Sequence, residues 1–252
     1  MTTLVRAPVP ALSTGERALE ADASHYLTRV LRLSRGAHFL AFDPERAVEA
    51  DAELVRVEQG TAIVRIGETR PARIVATRAV TWIQALAKGD KCDAIVRDAT
   101  ELGATRLIVV ATERSVVRLD ETRTRAKTAR WTKIAHEAAR QSGRADPPEI
   151  VLAAWPAALT LVSPDSARFC LDPASQEPLG PMLALALTSS TPLAFAAGPE
   201  GGLTTDEIAL AKGAGWRVAS LGPFILRTET VATAVLGAVR LFAAPKSELA
   251  GE

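Results

Sequence analysis

From Val80 onward the chain alternates short, nearly continuous apolar runs with stretches of helical periodicity, and this constrains its fold more than any other feature. "VTWIQALA" (80–87) is apolar almost throughout, "DKCDAIVRDATELGA" (90–104) spaces its apolar residues by three and four and closes on Gly103, and "RLIVVAT" (106–112) is apolar again. A strand that reads apolar at nearly every position is covered on both faces, and a helix between two such strands makes a βαβ unit. The runs "EIVLAA", "ARFCL", "PLAFAAG" and "WRVASLG" continue the pattern, with helix candidates near residues 125–142, 177–188, 204–214 and 229–243. Residues 76–252 are therefore expected to form an α/β domain on a parallel sheet.

The first 75 residues read differently. "HFLAFD", "DAELVRVEQ" and "TAIVRIGE" alternate apolar and charged positions between the breakers "DPER", "EQG" and "GETRP", the pattern of a small, mostly antiparallel sheet or barrel. Ahead of them "ASHYLTRVLRLSRG" places Tyr26, Leu27, Val30, Leu31 and Leu33 at helical spacing with a Gly stop. A β-rich N-terminal domain (1–75) thus precedes the α/β domain (76–252).

Several classes are excluded. A hydrophobic content of 48% is ample for a core without staples, and Cys92 and Cys170 are too few for a disulfide framework. His25, His38 and His136 lack metal-ligand spacing, so no metal is expected. No apolar run reaches membrane-spanning length and "MTTLVRAPVPAL" does not read as a secretory signal, so a cytoplasmic protein is expected.

The net charge of +1 hides an uneven distribution. Between Arg114 and Arg144 lie 9 basic and 3 acidic residues, either a solvated helix face or a surface that neutralises phosphates.

Two turns carry the chemistry. "FAAGPEGGLTTDEI" (195–208) and "SLGPFILRTETVATAVL" (220–236) each run from an apolar strand through Gly-Pro into a helix start. Strand carboxyl ends meeting helix amino ends are where open α/β sheets bind ligands. Gly198, Gly201 and Gly202 permit close backbone approach; Thr204 with Glu207 forms a capping box, and Thr228 or Thr230 is a cap for the last helix. Neither turn is G-x-G-x-x-G or a P-loop. Spacing alone leaves open that both are only well-made loops.

The pair "GPEGGLTTDEI" and "SLGPFILRTET" resembles the paired C-terminal motifs of the SPOUT methyltransferases, specifically the RsmE family of 16S rRNA (uracil-N3)-methyltransferases. "HYLTRVLRLSRG", "KGDKCDAIVRDATELG", "TERSVV" and "RWTKIAHEAARQSGR" resemble further family segments in the family's order. Ala37, Cys92 and Phe224 depart from its usual Asp, Met and Arg.

The resemblance implies a PUA-like or OB-like RNA-binding domain, then an α/β methyltransferase domain whose C-terminal segment threads a trefoil knot. It implies S-adenosylmethionine held by Leu171, Gly198, Pro199, Glu200, Gly201, Gly202, Leu221, Gly222, Ile225, Leu226 and Arg227. Arg227 would stabilise negative charge on the uracil carbonyls, and Glu229 would orient that arginine or take the N3 proton. Arg6, Arg29, Arg32, Arg114, Arg118, Lys133, Arg140, Gln141 and Arg144 would contact RNA, in the decoding region of the assembled small subunit. A homodimer is implied as well. A noncatalytic RNA-binding assembly factor, or a SPOUT enzyme acting on another RNA, remains an alternative.

Overall fold

A computed structural model of the protein describes residues 5–115 and 121–242. Arg118, named above as an RNA contact, lies outside them. The chain divides into two compact units, residues 1–76 with 136–147 and residues 77–135 with 148–252.

In the first unit, strands β1 (Arg6–Pro8), β2 (Gly15–Ala18), β3 (His38–Asp43), β4 (Val48–Glu58), β5 (Thr61–Ile66) and β6 (Arg70–Pro71) form one sheet in the order β1-β3-β4-β5-β2, with β6 on β4. Only β1 and β3 run parallel. The period-two pattern turns Phe39, Ala41, Ala50, Ala52, Leu54, Ala62, Val64 and Ile66 onto a single core. Gln59 and Gly60, both at positive φ (49° and 84°), connect β4 to β5 in two residues, the conformation that matches the twist of a tight hairpin. The helix expected near residue 24 is α1 (Ala21–His25) continued by a π-helical turn over Tyr26–Val30, where the Leu31 N–H reaches back five residues to Tyr26 O at 2.9 Å.

The second unit is an all-parallel six-stranded sheet: β7 (Val80–Ala85), β8 (Arg106–Ala111), β9 (Glu149–Ala154), β10 (Ala167–Leu171), β11 (Leu193–Ala197) and β12 (Arg217–Ala219), in the order β12-β10-β11-β7-β8-β9. Alternate residues of each run serve opposite faces, which explains why the runs are apolar throughout. Trp82, Leu107, Val109, Phe169 and Phe195 pack on one side with helices α2 (Lys91–Glu101), α3 (Glu121–Gln141), α5 (Leu179–Leu187) and α7 (Thr228–Phe242). Ile83, Ile108, Val110, Cys170 and Ala196 pack on the other with α4 (Trp155–Thr160) and α6 (Thr205–Gly213). Residues 136–147, expected in the second domain with the rest of 76–252, belong with the first unit; α3 bears no sequence mark where it passes from one to the other.

Candidate active site and cofactor cleft

Strand order brings the two turns together. From β7 the chain proceeds outward to β8 and β9, then returns to lay β10 and β11 on the other side of β7, so the topological switch point falls between β7 and β11. Because all strands are parallel, the C-terminal ends of β10, β11 and β12 lie at the same edge. There they surround a cleft of about 390 Å³. Leu171 and Asp172 come from the end of β10, Ala197–Glu200 and Gly202 from the first turn, and Leu221, Gly222 and Phe224–Thr228 from the second.

A buried polar strap joins the turns. Gln84, the only polar residue in the "VTWIQALA" run apart from Thr81, is 2% exposed. Its side-chain amide donates to Gly198 O (3.3 Å) and Thr228 Oγ1 (3.1 Å), and its carbonyl accepts from Trp82 Nε1 (3.0 Å). The Thr228 hydroxyl donates to Gly198 O at 3.0 Å. Thr228, expected as a helix cap, thus spends its side chain on the first turn instead. Such a satisfied network in a low-dielectric interior fixes the positions of its members.

Glycine is required at Gly198 for steric reasons. A Cβ there would meet Leu203 N at 2.9 Å and Gly202 C at 3.0 Å, both main-chain atoms. Gly202 and Gly222 adopt positive φ (71° and 109°). The capping box forms as expected: Thr204 Oγ1 accepts from Glu207 N (3.2 Å) and Glu207 Oε2 from Thr204 N (2.8 Å), while Glu207 Oε1 accepts from Glu113 N (2.8 Å).

Of the residues expected to hold a cofactor, all but Gly201 line the cleft. Gly201 lies against Arg114, whose guanidinium donates to Gly201 O (2.9 Å) and Leu203 O (3.3 Å). Arg227 lines the cleft, and no described side chain bonds its guanidinium. Glu229 does not orient Arg227; its carboxylate turns to Lys91, with Nζ to Oε2 at 3.7 Å. That part of the expectation is corrected.

Gln84 and Lys91 were missed by motif reasoning, yet each left a signal. A glutamine inside a doubly covered strand must find partners. A lysine at the first position of a helix faces the positive end of its dipole and needs a compensating anion. Lys91 Nζ bonds Glu200 Oε1 at 2.9 Å. That bond raises the ammonium above its ordinary range against partial desolvation. Burial alone would push the Glu200 carboxyl up, but the Lys91 ammonium and main-chain N–H groups outweigh it and hold the carboxyl below its usual value.

The residues expected to contact RNA fall into two kinds. Arg29, Arg32, Lys133 and the neutral Gln141 are exposed, and Arg140 is half-buried with its guanidinium 4.3 Å above the Tyr26 ring. Arg144 is 5% exposed and forks onto Asp146, with Nε–Oδ1 at 3.0 Å and Nη2–Oδ2 at 2.9 Å. Arg6 is turned inward too, 3.6 Å from the fully buried Glu49 and over the Phe42 ring; burial lowers its pKa, opposed by Glu49. Both expectations of an RNA contact are corrected: the buried Glu49 recruits Arg6, and Arg144 is itself buried on its two-point bond to the partly exposed Asp146, so neither guanidinium is presented to solvent.

The site fits the group implied by the resemblance. Apolar side chains (Leu171, Leu221, Ile225, Leu226) can cover a flat heteroaromatic base, and bare glycine backbone can bond its edge. Asp172 and Glu200 can meet the polar and charged parts of a nucleoside joined to an amino acid.

Comparison with known proteins agrees. Residues 76–240 match the RNA methyltransferase domain family. The chain is 35% identical over 225 residues to ribosomal RNA small subunit methyltransferase E of Synechocystis sp., covering 85% of this chain and 69% of that one. It is 31% identical over 227 residues to the Bacillus subtilis protein of the same name, covering 88% of each. The crystal structure of the Neisseria gonorrhoeae ribosomal RNA small subunit methyltransferase E bound to S-adenosyl methionine superposes with a TM-score of 0.84 at 28% identity, over 94% of this chain and 97% of that one. With the glycine-lined cleft in place and the match running through both units, the chain belongs to the ribosomal RNA small subunit methyltransferase E family.

Proposed function

We propose that this protein methylates N3 of a uridine in the decoding region of 16S rRNA, in the assembled small subunit, with S-adenosylmethionine as donor. The observation that carries the reading is the cleft itself. Two turns strapped together by Gln84 and Thr228 present bare glycine backbone beside an arginine that no described side chain engages.

When bound, S-adenosylmethionine supplies a methyl group on a sulfonium. The new bond forms between that methyl carbon and uracil N3, the carbon–sulfur bond breaks with its electron pair going to sulfur, and the N3 proton leaves. Arg227 donates to the uracil carbonyl on which charge grows as that proton departs, and Glu229 accepts the proton. That no described side chain bonds the Arg227 guanidinium supports this role, since its donors need not be freed from one of those acceptors. N3 lies on the Watson–Crick edge, so the base must be unpaired or flipped when it reaches the cleft.

Arg29, Arg32, Lys133, Arg140 and Gln141 serve the RNA backbone. Two features support the finer parts of the reading. β12 lies outside β10 while α7 returns to pack on α2 and β11, as a knotted C-terminal segment requires. Phe224 and Ile225, 81% and 85% exposed on the second turn, are apolar surface that a homodimer would cover. No described helix is long and apolar enough to cross a membrane, which is compatible with work in the cytoplasm.

Nucleoside mass spectrometry of small-subunit rRNA, from cells with and without the gene, tests the reading. N3-methyluridine should disappear with the gene and return with it; an unchanged level refutes the assignment.

A further inference from the structure

Lys91 opens α2, a position where the helix dipole disfavours an ammonium. It stands there within ion-pair distance of two carboxylates from different segments: Glu200 of the first turn at 2.9 Å and Glu229 of the first turn of α7 at 3.7 Å. Glu200 Oε1 is also held by the Lys88 N–H at 3.1 Å. Glu229 Oε2 is buried and makes no hydrogen bond, so the Lys91 ammonium is the charge that compensates it among the described residues. Arg227 stands immediately ahead of this anchored pair: Thr228 is fastened to Gly198 and Gln84, and Glu229 to Lys91. With no side-chain partner among the described residues, the Arg227 guanidinium is aimed by the backbone that those two anchors fix.

We propose that Lys91 is a positioning residue for methyl transfer, one ammonium tying the start of α2, the glycine turn and the start of α7 together so that Arg227 keeps its place in the cleft and Glu229 its place two residues on. The inference rests on the methyltransferase reading. Removing Lys91 would free both carboxylates, leave the buried Oε2 of the partly exposed Glu229 without its counter-charge, and let the Arg227 segment swing. The loss should therefore fall on turnover more than on substrate binding, because the affected groups act in the transition state.

The test compares Lys91→Met and Lys91→Arg, each alone and with Glu229→Gln, by steady-state kinetics on small ribosomal subunits and by calorimetry with S-adenosylmethionine. Lys91→Met should lower kcat by about ten- to a hundredfold while the RNA KM stays within about twofold. Lys91→Arg, which keeps the charge and reach, should recover most of the loss. In the Glu229→Gln background, which has already lost the proton acceptor and serves as its own reference, Lys91→Met should cost less than it does alone, because the Lys91–Glu229 link is gone and only the Glu200 tie remains to be removed. Melting temperatures of the ligand-free variants identify a folding defect, and if the Met variant is unfolded, Lys91→Gln takes its place in the same comparison with the same expected and refuting outcomes. A Met variant with kcat within twofold of wild type, an Arg variant as impaired as the Met one, or fully multiplicative effects would overturn the role. Failure of the wild-type protein to bind S-adenosylmethionine would instead overturn the methyltransferase reading itself.

Discussion

Replacing the glycines of the two turns by alanine, one at a time, should produce a graded loss of cofactor binding whose order follows from what each new Cβ meets. At Gly198 the methyl group would lie 2.9 Å from Leu203 N and 3.0 Å from Gly202 C. Neither is the flexible end of a side chain, so the loop must shift, and overpacking of this kind costs about 1–3 kcal/mol or more. The shift also pulls Gly198 O away from the Gln84 and Thr228 donors, each bond worth about 0.5–1.5 kcal/mol. At Gly222 a Cβ has open space, but φ is 109°, a conformation that costs an alanine about 1–3 kcal/mol. At Gly201 φ is ordinary and the Cβ would touch only the Arg114 side chain at 3.4 Å, a change worth about 0.5 kcal/mol or less. With about 1.4 kcal/mol per tenfold, calorimetry with S-adenosylmethionine should give losses of about a hundredfold or more for Gly198→Ala, about tenfold for Gly222→Ala, and at most about twofold for Gly201→Ala. Thermal unfolding without ligand separates loop damage from global damage. Equal losses at Gly198 and Gly201, or an intact Gly198→Ala, would refute the steric argument.

Arg227→Ala should lower the methylation rate on small subunits by about 10²–10³ while calorimetry finds nearly unchanged S-adenosylmethionine affinity, and Arg227→Lys should restore only part, because a point charge lacks the planar fork. Arg140→Ala should weaken RNA binding and lower the slope of log affinity against log salt by about 0.7–0.9, whereas Arg144→Ala should destabilise the fold, since it strands the Asp146 carboxylate; filter binding over a salt series and thermal melts check the contrast. Light scattering at micromolar concentration should give the mass of a dimer, and Phe224→Glu should shift it toward the monomer.

The fold was legible wherever burial dictates residue type. Six strands covered on both faces leave six apolar runs, and the hairpin at Gln59-Gly60 shows itself as a breaker between alternating segments. The capping box at Thr204 and Glu207 could be read because its partners are three residues apart. What sequence alone withheld were pairings between distant segments. Gln84 to Thr228 spans 144 residues and Lys91 to Glu200 spans 109, so no local period marks them. The return of residues 136–147 to the first unit was hidden for the same reason. It rests on contacts made just after α3 ends, such as Ala145 N to Ile74 O and Ala76 N to Asp146 Oδ2, whose partners lie about 70 residues apart.

The basic residues show how far composition reaches. Counting charges identifies a cationic stretch but treats every guanidinium alike, whereas the structure sorts them by whether a carboxylate is buried nearby. Glu49 is fully buried with Arg6, Arg70 and Arg73 within 3.3–3.6 Å, and Asp146 holds Arg144 with both oxygens. A desolvated carboxylate left alone costs several kcal/mol, so Arg6 is committed to Glu49, and Arg144, itself buried, to its two-point bond with Asp146. The cations available to RNA are those whose partner is weak or absent. Arg140 is one, because an aromatic face at 4.3 Å holds it by only about 0.5–1 kcal/mol and leaves its donors free to meet a phosphate.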